Sequence, residues 1–175
     1  MISKKVEKAI NEQIKKEEYS SRLYLAMASW CQKEGYQGAA AFLYTHSDEE
    51  RLHQLKFVHY LNDRSGYAVL QDIEQPPFKF ESLHKMFEEV LKHEQYITAS
   101  INDLYHLCTS EKDYTTANFL QWFITEQLEE ENLVNGILDT MALAGNDKSG
   151  LFFIDKELGA KAAPAAGAGG AASAT

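Results

Sequence analysis

What most constrains this 175-residue chain is where it lacks proline and glycine. Its prolines are Pro76, Pro77 and Pro164, and six of its ten glycines fall at or after Gly145. These residues interrupt regular structure, so the intervals free of them must hold long elements. The intervals run from Lys4 to Glu34, Ala39 to Arg64, Glu81 to Ser110 and, with Gly136 as its single interruption, Asp113 to Ala144. Each carries a stripe spaced alternately by three and four residues, the period of a helix face. The stripes are Val6, Ile10, Gln13, Glu17, Ser20, Tyr24, Met27 and Cys31; Leu43, His46, Glu50, His53, Phe57 and Tyr60; Leu83, Phe87, Val90, Glu94, Ile97, Ile101, Leu104 and Cys108; and Leu120, Phe123, Gln127, Glu130, Val134, Ile137 and Met141. One stripe per helix at this spacing predicts near-parallel packing in a four-helix bundle.

The connections set the topology. Gly35 to Gly38 and Ser110 to Lys112 are short, so the helices they join are antiparallel neighbours. Ser65 to Phe80, with Gly66, Pro76 and Pro77 inside it, is long enough to run back along a helix of roughly 40–45 Å. The expected fold is therefore all-α, with one long crossover after the second helix. Leu151 to Leu158 reads as a short apolar fifth helix whose greasy face calls for neighbouring subunits. We expect one domain over 1–158 and a flexible Ala/Gly-rich tail over 159–175, because that composition has little to bury.

Composition narrows the class. The chain is 45% apolar with a formal net charge of −9, which disfavours a phosphate-backbone reader and an anionic membrane surface and favours cations. No apolar run reaches the roughly 18–20 residues of a membrane span. Neither a signal-peptide block nor a disulfide framework is expected, since Cys31 and Cys108 carry no metal-type spacing and read as small buried hydrophobes. This pattern fits a reduced, cytoplasmic protein.

Polar residues on the stripes carry the chemistry. Glu17, Glu50, His53, Glu94, Gln127 and Glu130 each lie within about two residues of their helix's midpoint, roughly 3 Å along the axis. Midpoints coincide in a bundle whichever way its helices run, so these groups converge. Two like charges 4 Å apart repel by about 4 kcal/mol at an effective dielectric near 20, and desolvation adds several more. Protons or cations must neutralise them, and carboxylates with one imidazole suit Fe(II) or Mn(II), with Zn(II) a competitor. The bundle-core pattern is a Glu on each of two helices and Glu-x-x-His on the other two. Glu17 and Glu94 supply the single ligands and Glu50-Arg51-Leu52-His53 one full pair, whereas the fourth helix offers Gln127-Leu128-Glu129-Glu130.

In these segments, together with Asn11 to Gln13, Glu17 to Ser21, His46 to His53, His93 to Gln95, Asn118 to Trp122, Glu126 to Glu131 and Gly150 to Leu158, the chain resembles the prokaryotic non-haem ferritins. The resemblance implies a homo-oligomeric shell of about 24 subunits that oxidises Fe(II) with O2 and stores ferric mineral. It assigns a first iron to Glu17, Glu50 and His53, and a second to Glu50, Glu94 and Glu130, with Gln127 beside the second iron and the oxygen site. It further implies a third, inner iron site at Glu49, Glu126, Glu129 and Glu130, a redox-active Tyr24, and Trp122 as a second electron source.

The departures matter too. Position 130 is not His, which separates the chain from ferritins with a symmetric paired site, and Leu52 stands where haem-binding relatives carry Met, so no haem is expected. His46, a turn from Glu50 on the same stripe, reads as a hydrogen-bonded core histidine. His59, His84, His93 and His106 read as surface or packing residues. Two other functions stay open on the residues alone: a di-iron oxygenase or peroxide scavenger of smaller oligomeric state, and a shell that only sequesters metal or binds DNA.

Overall fold

A computed structural model describes residues 2–145 and 147–162. It contains five helices: α1 (Lys4–Glu34), α2 (Gln37–Asp63), α3 (Leu83–Ser110), α4 (Tyr114–Ala144) and α5 (Lys148–Ala162). The first four form the all-α bundle with one long crossover that the breaker pattern predicts. Their starts and stops have local causes. Ser3, Ser82 and Asp113 are N-caps whose side chains accept from the backbone N–H of Val6, Lys85 and Thr116, satisfying donors a helix leaves open. Gly35 ends α1 in the left-handed region at φ 96°, a conformation glycine adopts without strain.

α1 packs on α2 and on α3, and α3 packs on α4. Among the described residues no Cα of α2 lies within 8 Å of a Cα of α4. Side chains bridge that seam instead, with Tyr60 donating to Thr116 at 2.9 Å and the His53 ring lying edge-on to Trp122 and Phe123. The crossover is fastened to α1 by two buried polar residues. Asn11 donates to the Tyr67 carbonyl (2.9 Å) and accepts from Val69 N–H (2.6 Å), while Glu7 accepts from Tyr67 N–H (3.0 Å).

Two boundaries differ from the sequence reading. Gly38 lies inside the first turn of α2, not in the preceding loop, because α5 crosses there. A Cβ at Gly38 would sit 1.7 Å from the Asp155 carbonyl oxygen, so only glycine admits that approach. Tyr36 gives α2 no side-chain cap, and Asp155 of α5 accepts from Ala39 N–H at 2.8 Å in its place. α5 is also longer than Leu151 to Leu158, starting at Lys148 and continuing through Ala162. The Gly38–Gly159 crossing holds its C-terminal turn. The remainder of the expected tail, 163–175, lies outside the described residues.

The apolar core is split in two. One cluster joins the C-terminal half of α1, the start of α2, the start of α3, the end of α4 and α5, with Met27, Leu43, Phe87, Met141 and Ile154 among its members. The other joins the opposite ends of α1 to α4 through Ile10, Phe57, Ile101 and Phe123. Between them lies a polar waist.

Candidate metal centre

All four bundle helices contribute to the waist from their middle turns. Glu17 and Glu94 are each only 1% exposed, and Glu50, His53 and Gln127 are buried with them. Single ligand atoms of Glu17, Glu50 and His53 lie within 4.8 Å of one another, and His53 Nδ1 is 3.5 Å from Glu50 Oε2. Glu94 faces this group from α3. Its Oε1 accepts a short hydrogen bond from the Tyr24 hydroxyl, and its Oε2 accepts from Gln127 Nε2 at 3.0 Å. Glu17 accepts from Gln13 Nε2 at 2.7 Å. Among the described residues, Glu50 Oε2 is the buried side-chain oxygen with no hydrogen-bond partner.

The electrostatics follow from this crowding. Burial, and then the neighbouring Glu50 charge, push the Glu17 carboxyl well above the usual carboxylate range. Burial, with Glu94 and Glu130 beside it, does the same to Glu50. Burial also raises Glu94, against the pull of Tyr24 and Gln127, and burial with Glu94 and Glu49 raises Glu130 to about 8. The Tyr24 phenol is held protonated by burial and by Glu94. Without a cation the waist thus favours the protonated form of these carboxyl groups more than water does. With a divalent cation, the same groups become anionic oxygen ligands beside one imidazole, a donor set suited to first-row metals. The unpartnered Glu50 oxygen fits that use, because a buried acceptor without a donor is costly and a cation would satisfy it.

A second group lies on the seam between α2 and α4. His46, Glu49 and Glu130 also bring one ligand atom each within 4.8 Å. Glu126 approaches the far side of His53, with Oε1 3.9 Å from Nε2, and Glu129 is exposed. The structure therefore gathers Glu49 and Glu130 with His46, and sets Glu126 and Glu129 apart from that pair. Trp122 stands 5.3 Å ring to ring from His53, with the Lys56 ammonium 3.0 Å above the indole.

Three residues matter more than their sequence positions suggest. Gln13 positions Glu17, and its place on the stripe one turn away is the available signal. His93 is half-buried and packs, as one of its two readings had it: it bonds the Ser20 hydroxyl at 2.7 Å, and burial pushes its imidazole down to about 4. His46 is a hydrogen-bonded histidine, but one of its ring nitrogens faces two carboxylates. Cys31 and Cys108 are buried free thiols, and burial pushes Cys31 up to about 12.

Comparison with known proteins agrees with this geometry. Residues 7–144 match the Ferritin family, described as a ferritin-like domain. The chain is 47% identical over 156 residues to a bacterial non-heme ferritin of Campylobacter jejuni, covering 89% of this chain and 93% of that one. It is 44% identical over 158 residues to a bacterial non-heme ferritin of Escherichia coli, covering 90% and 96%. Among solved structures, an open pore ferritin from the archaeon Archaeoglobus fulgidus superposes with a TM-score of 0.90 at 39% identity, covering 91% of this chain and 98% of that one. No described helix is long and apolar enough to cross a membrane. With its five-helix fold, its acidic waist and relatives alike over nearly their whole length, the chain belongs to the ferritin family of iron-storage proteins.

Proposed function

We propose that this protein is a ferroxidase that stores iron: it binds two Fe(II) ions as substrate in the waist, oxidises them with O2 and passes ferric iron to a mineral. The carrying observation is that four carboxyl groups and one imidazole meet between two dry clusters, with one buried oxygen left unpartnered. Glu17, Glu50 and His53 hold the first ion. Glu50, Glu94 and Glu130 hold the second, so Glu50 bridges, and Gln127 orients Glu94 beside the oxygen site. Each Fe(II) gives up one electron and the pair reduces O2 to the peroxide level, while the protein supplies position and charge neutralisation.

The asymmetry of the ligand set favours transit over retention. The fourth helix offers a glutamine and a glutamate where a paired site would have a second imidazole, so the product ferric ion is held by fewer protein donors. Glu49 and Glu130 are the gathered pair of an acidic inner station toward the mineral, which Glu126 and Glu129 complete by closing in from α4. Tyr24 supplies a further electron when needed, since Glu94 stands ready to take its proton, and Trp122 is a second donor. Phe152 and Phe153, both strongly exposed on α5, are covered by neighbouring copies in a shell of about 24 subunits, a cytoplasmic assembly without haem.

Stopped-flow mixing of Fe(II) with air-saturated buffer tests this reading. The expected result is a fast phase consuming two Fe(II) per subunit, slowed at least about 100-fold in Glu50→Ala and His53→Ala. A fast phase unchanged in both variants overturns it. A dimer by light scattering would move the same chemistry to an oxygenase or peroxide scavenger.

A further inference from the structure

We propose that the seam between α1 and α3 carries electrons into the waist, from a small one-electron donor seated between Tyr19 and Tyr96, through His93, to Tyr24. It rests on the reading of Tyr24 as an electron source and adds what restores that residue. What identifies the route is one imidazole surrounded by three phenols.

His93 on α3 stands between the waist and the surface. The buried Tyr24 ring meets it edge-on with centroids 6.0 Å apart, Tyr19 is tilted against it at 5.8 Å, and Tyr96 lies at 6.1 Å. These are the spacings of aromatic rings in contact, across which an electron can tunnel without any atom travelling. Ser20 fixes the direction of the imidazole. Its hydroxyl gives its one hydrogen to the Lys16 carbonyl at 3.1 Å, so His93 Nε2 donates the 2.7 Å bond between them. Exposure rises along the route, from 1% at Tyr24, through half-buried His93 and Tyr19, to 52% at Tyr96.

The outer end is a cleft of about 370 Å³ lined by Tyr19, His93 and Tyr96. Its two lysines and two glutamates cancel in charge, so the phenol walls select the occupant. They suit a small flat donor of the enediol or hydroquinone class. The seam also lies opposite the one that ferric ions leave by, because α1 packs on α3 while α2 and α4 flank the acidic station. Electrons and departing ions thus use different sides of the bundle.

A buried phenoxyl radical needs such a route, since solvent does not reach it. Tyr24 gives one electron to the oxygen being reduced in the waist and its proton to Glu94, with which it shares a hydrogen bond. An electron from Tyr96 or Tyr19 then crosses the His93 ring, and Tyr24 recovers its proton from Glu94. The outer phenol loses its own proton to water, and its radical takes a hydrogen atom from the donor in the cleft. In sum the donor loses one hydrogen atom, whose electron reaches the waist and whose proton reaches water, and both tyrosines are as they began.

Freeze-quench electron paramagnetic resonance of the full-length assembly, mixed with Fe(II) and O2 and then with ascorbate as the enediol, tests this. The expected result is a tyrosyl radical in the wild type that ascorbate removes. In the double variant Tyr19→Phe, Tyr96→Phe the radical should form and the ascorbate effect should be lost, with partial loss in Tyr96→Phe alone. Tyr114→Phe, which removes an exposed phenol at the start of α4, should behave as wild type. Two Fe(II) bound per subunit without oxygen report an intact waist in each variant. Unimpaired removal by ascorbate in the double variant, or none in the wild type, overturns the route and leaves Tyr24 as the donor. Absence of a tyrosyl radical from the wild type overturns both.

Discussion

Phe57 and Glu50 sit two turns apart on the same face of α2, yet their surroundings follow opposite rules. Phe57 is fully buried, stacked on Phe123 at 4.1 Å and edge-on to Phe119, in a cluster where every neighbour adds dispersion and removes water. Glu50 is almost as buried, but its neighbours are Glu17, Glu94 and Glu130, and one of its oxygens bonds nothing. The ends of the bundle supply stability and the waist draws on it. A rigid scaffold at both ends lets four acids be held where they would otherwise move apart, which is the preorganisation a metal centre needs.

Breaking an end should cost the most. Phe57→Ala removes a large ring from a closed cluster and should cost about 3–5 kcal/mol in denaturant unfolding of the metal-free protein. Subunits that remain folded should still bind two ions in the waist, because the ligands come from middle turns that both clusters hold. Loss of binding in proportion to loss of stability would show that the ends and waist are not separable.

Emptying the waist of charge should act in the opposite direction. Glu50→Leu replaces a buried carboxyl, one of whose oxygens has no partner, with an apolar group of similar size, so the metal-free protein should gain about 1–3 kcal/mol while two-ion binding is lost. A less stable Glu50→Leu protein would mean that the Glu17–Glu50 contact holds the bundle together.

Acidity sharpens the same contrast. Glu130 has a folded value near 8 against an ordinary carboxyl near 4.5, and Glu17, Glu50 and Glu94 are raised as well. A raised acid binds its proton more tightly when folded, so its stabilisation is complete below about 4.5 and is lost as pH rises toward 8. His93, lowered to about 4, acts the other way below pH 6.5, and the four carboxyls outnumber it. The metal-free protein should therefore melt several degrees higher at pH 6 than at pH 8. Bound metal should reverse the trend, with proton release on uptake measurable by an indicator dye.

The fold was readable because a helical period needs only local information. Alternating threes and fours located four helices, and Ser3, Ser82 and Asp113 fit their caps. Gly38 was misplaced because glycine marks both turns and close approaches, and the approach to Asp155 involves a residue 117 positions away. The waist was readable for the same reason as the helices, since acids on a stripe must face inward. What a stripe does not contain is the partner. Gln13 on Glu17, Ser20 on His93 and the two carboxylates in front of His46 depend on rotamers and on which ring nitrogen the backbone engages.

Tyr24 belongs to both regions, and replacing it gives the smallest effect and the finest test. Its ring packs in the apolar cluster of Met27, Leu43 and Phe87, while its hydroxyl donates to Glu94 in the waist. Tyr24→Phe keeps the ring and removes only that bond, so stability should fall by about 1 kcal/mol or less. The fast phase of Fe(II) oxidation should stay within a few-fold of wild type, because both oxygens of Glu94 remain available to metal. What should disappear is any protein radical seen by electron paramagnetic resonance after rapid freezing. Losing an electron from a buried phenol requires a base for its proton, and Tyr24 is the tyrosine that hands its hydrogen bond to a waist carboxylate. If the radical persists in Tyr24→Phe, the electron comes from elsewhere, and Trp122, 5.3 Å from the His53 ring, is the side chain to replace next.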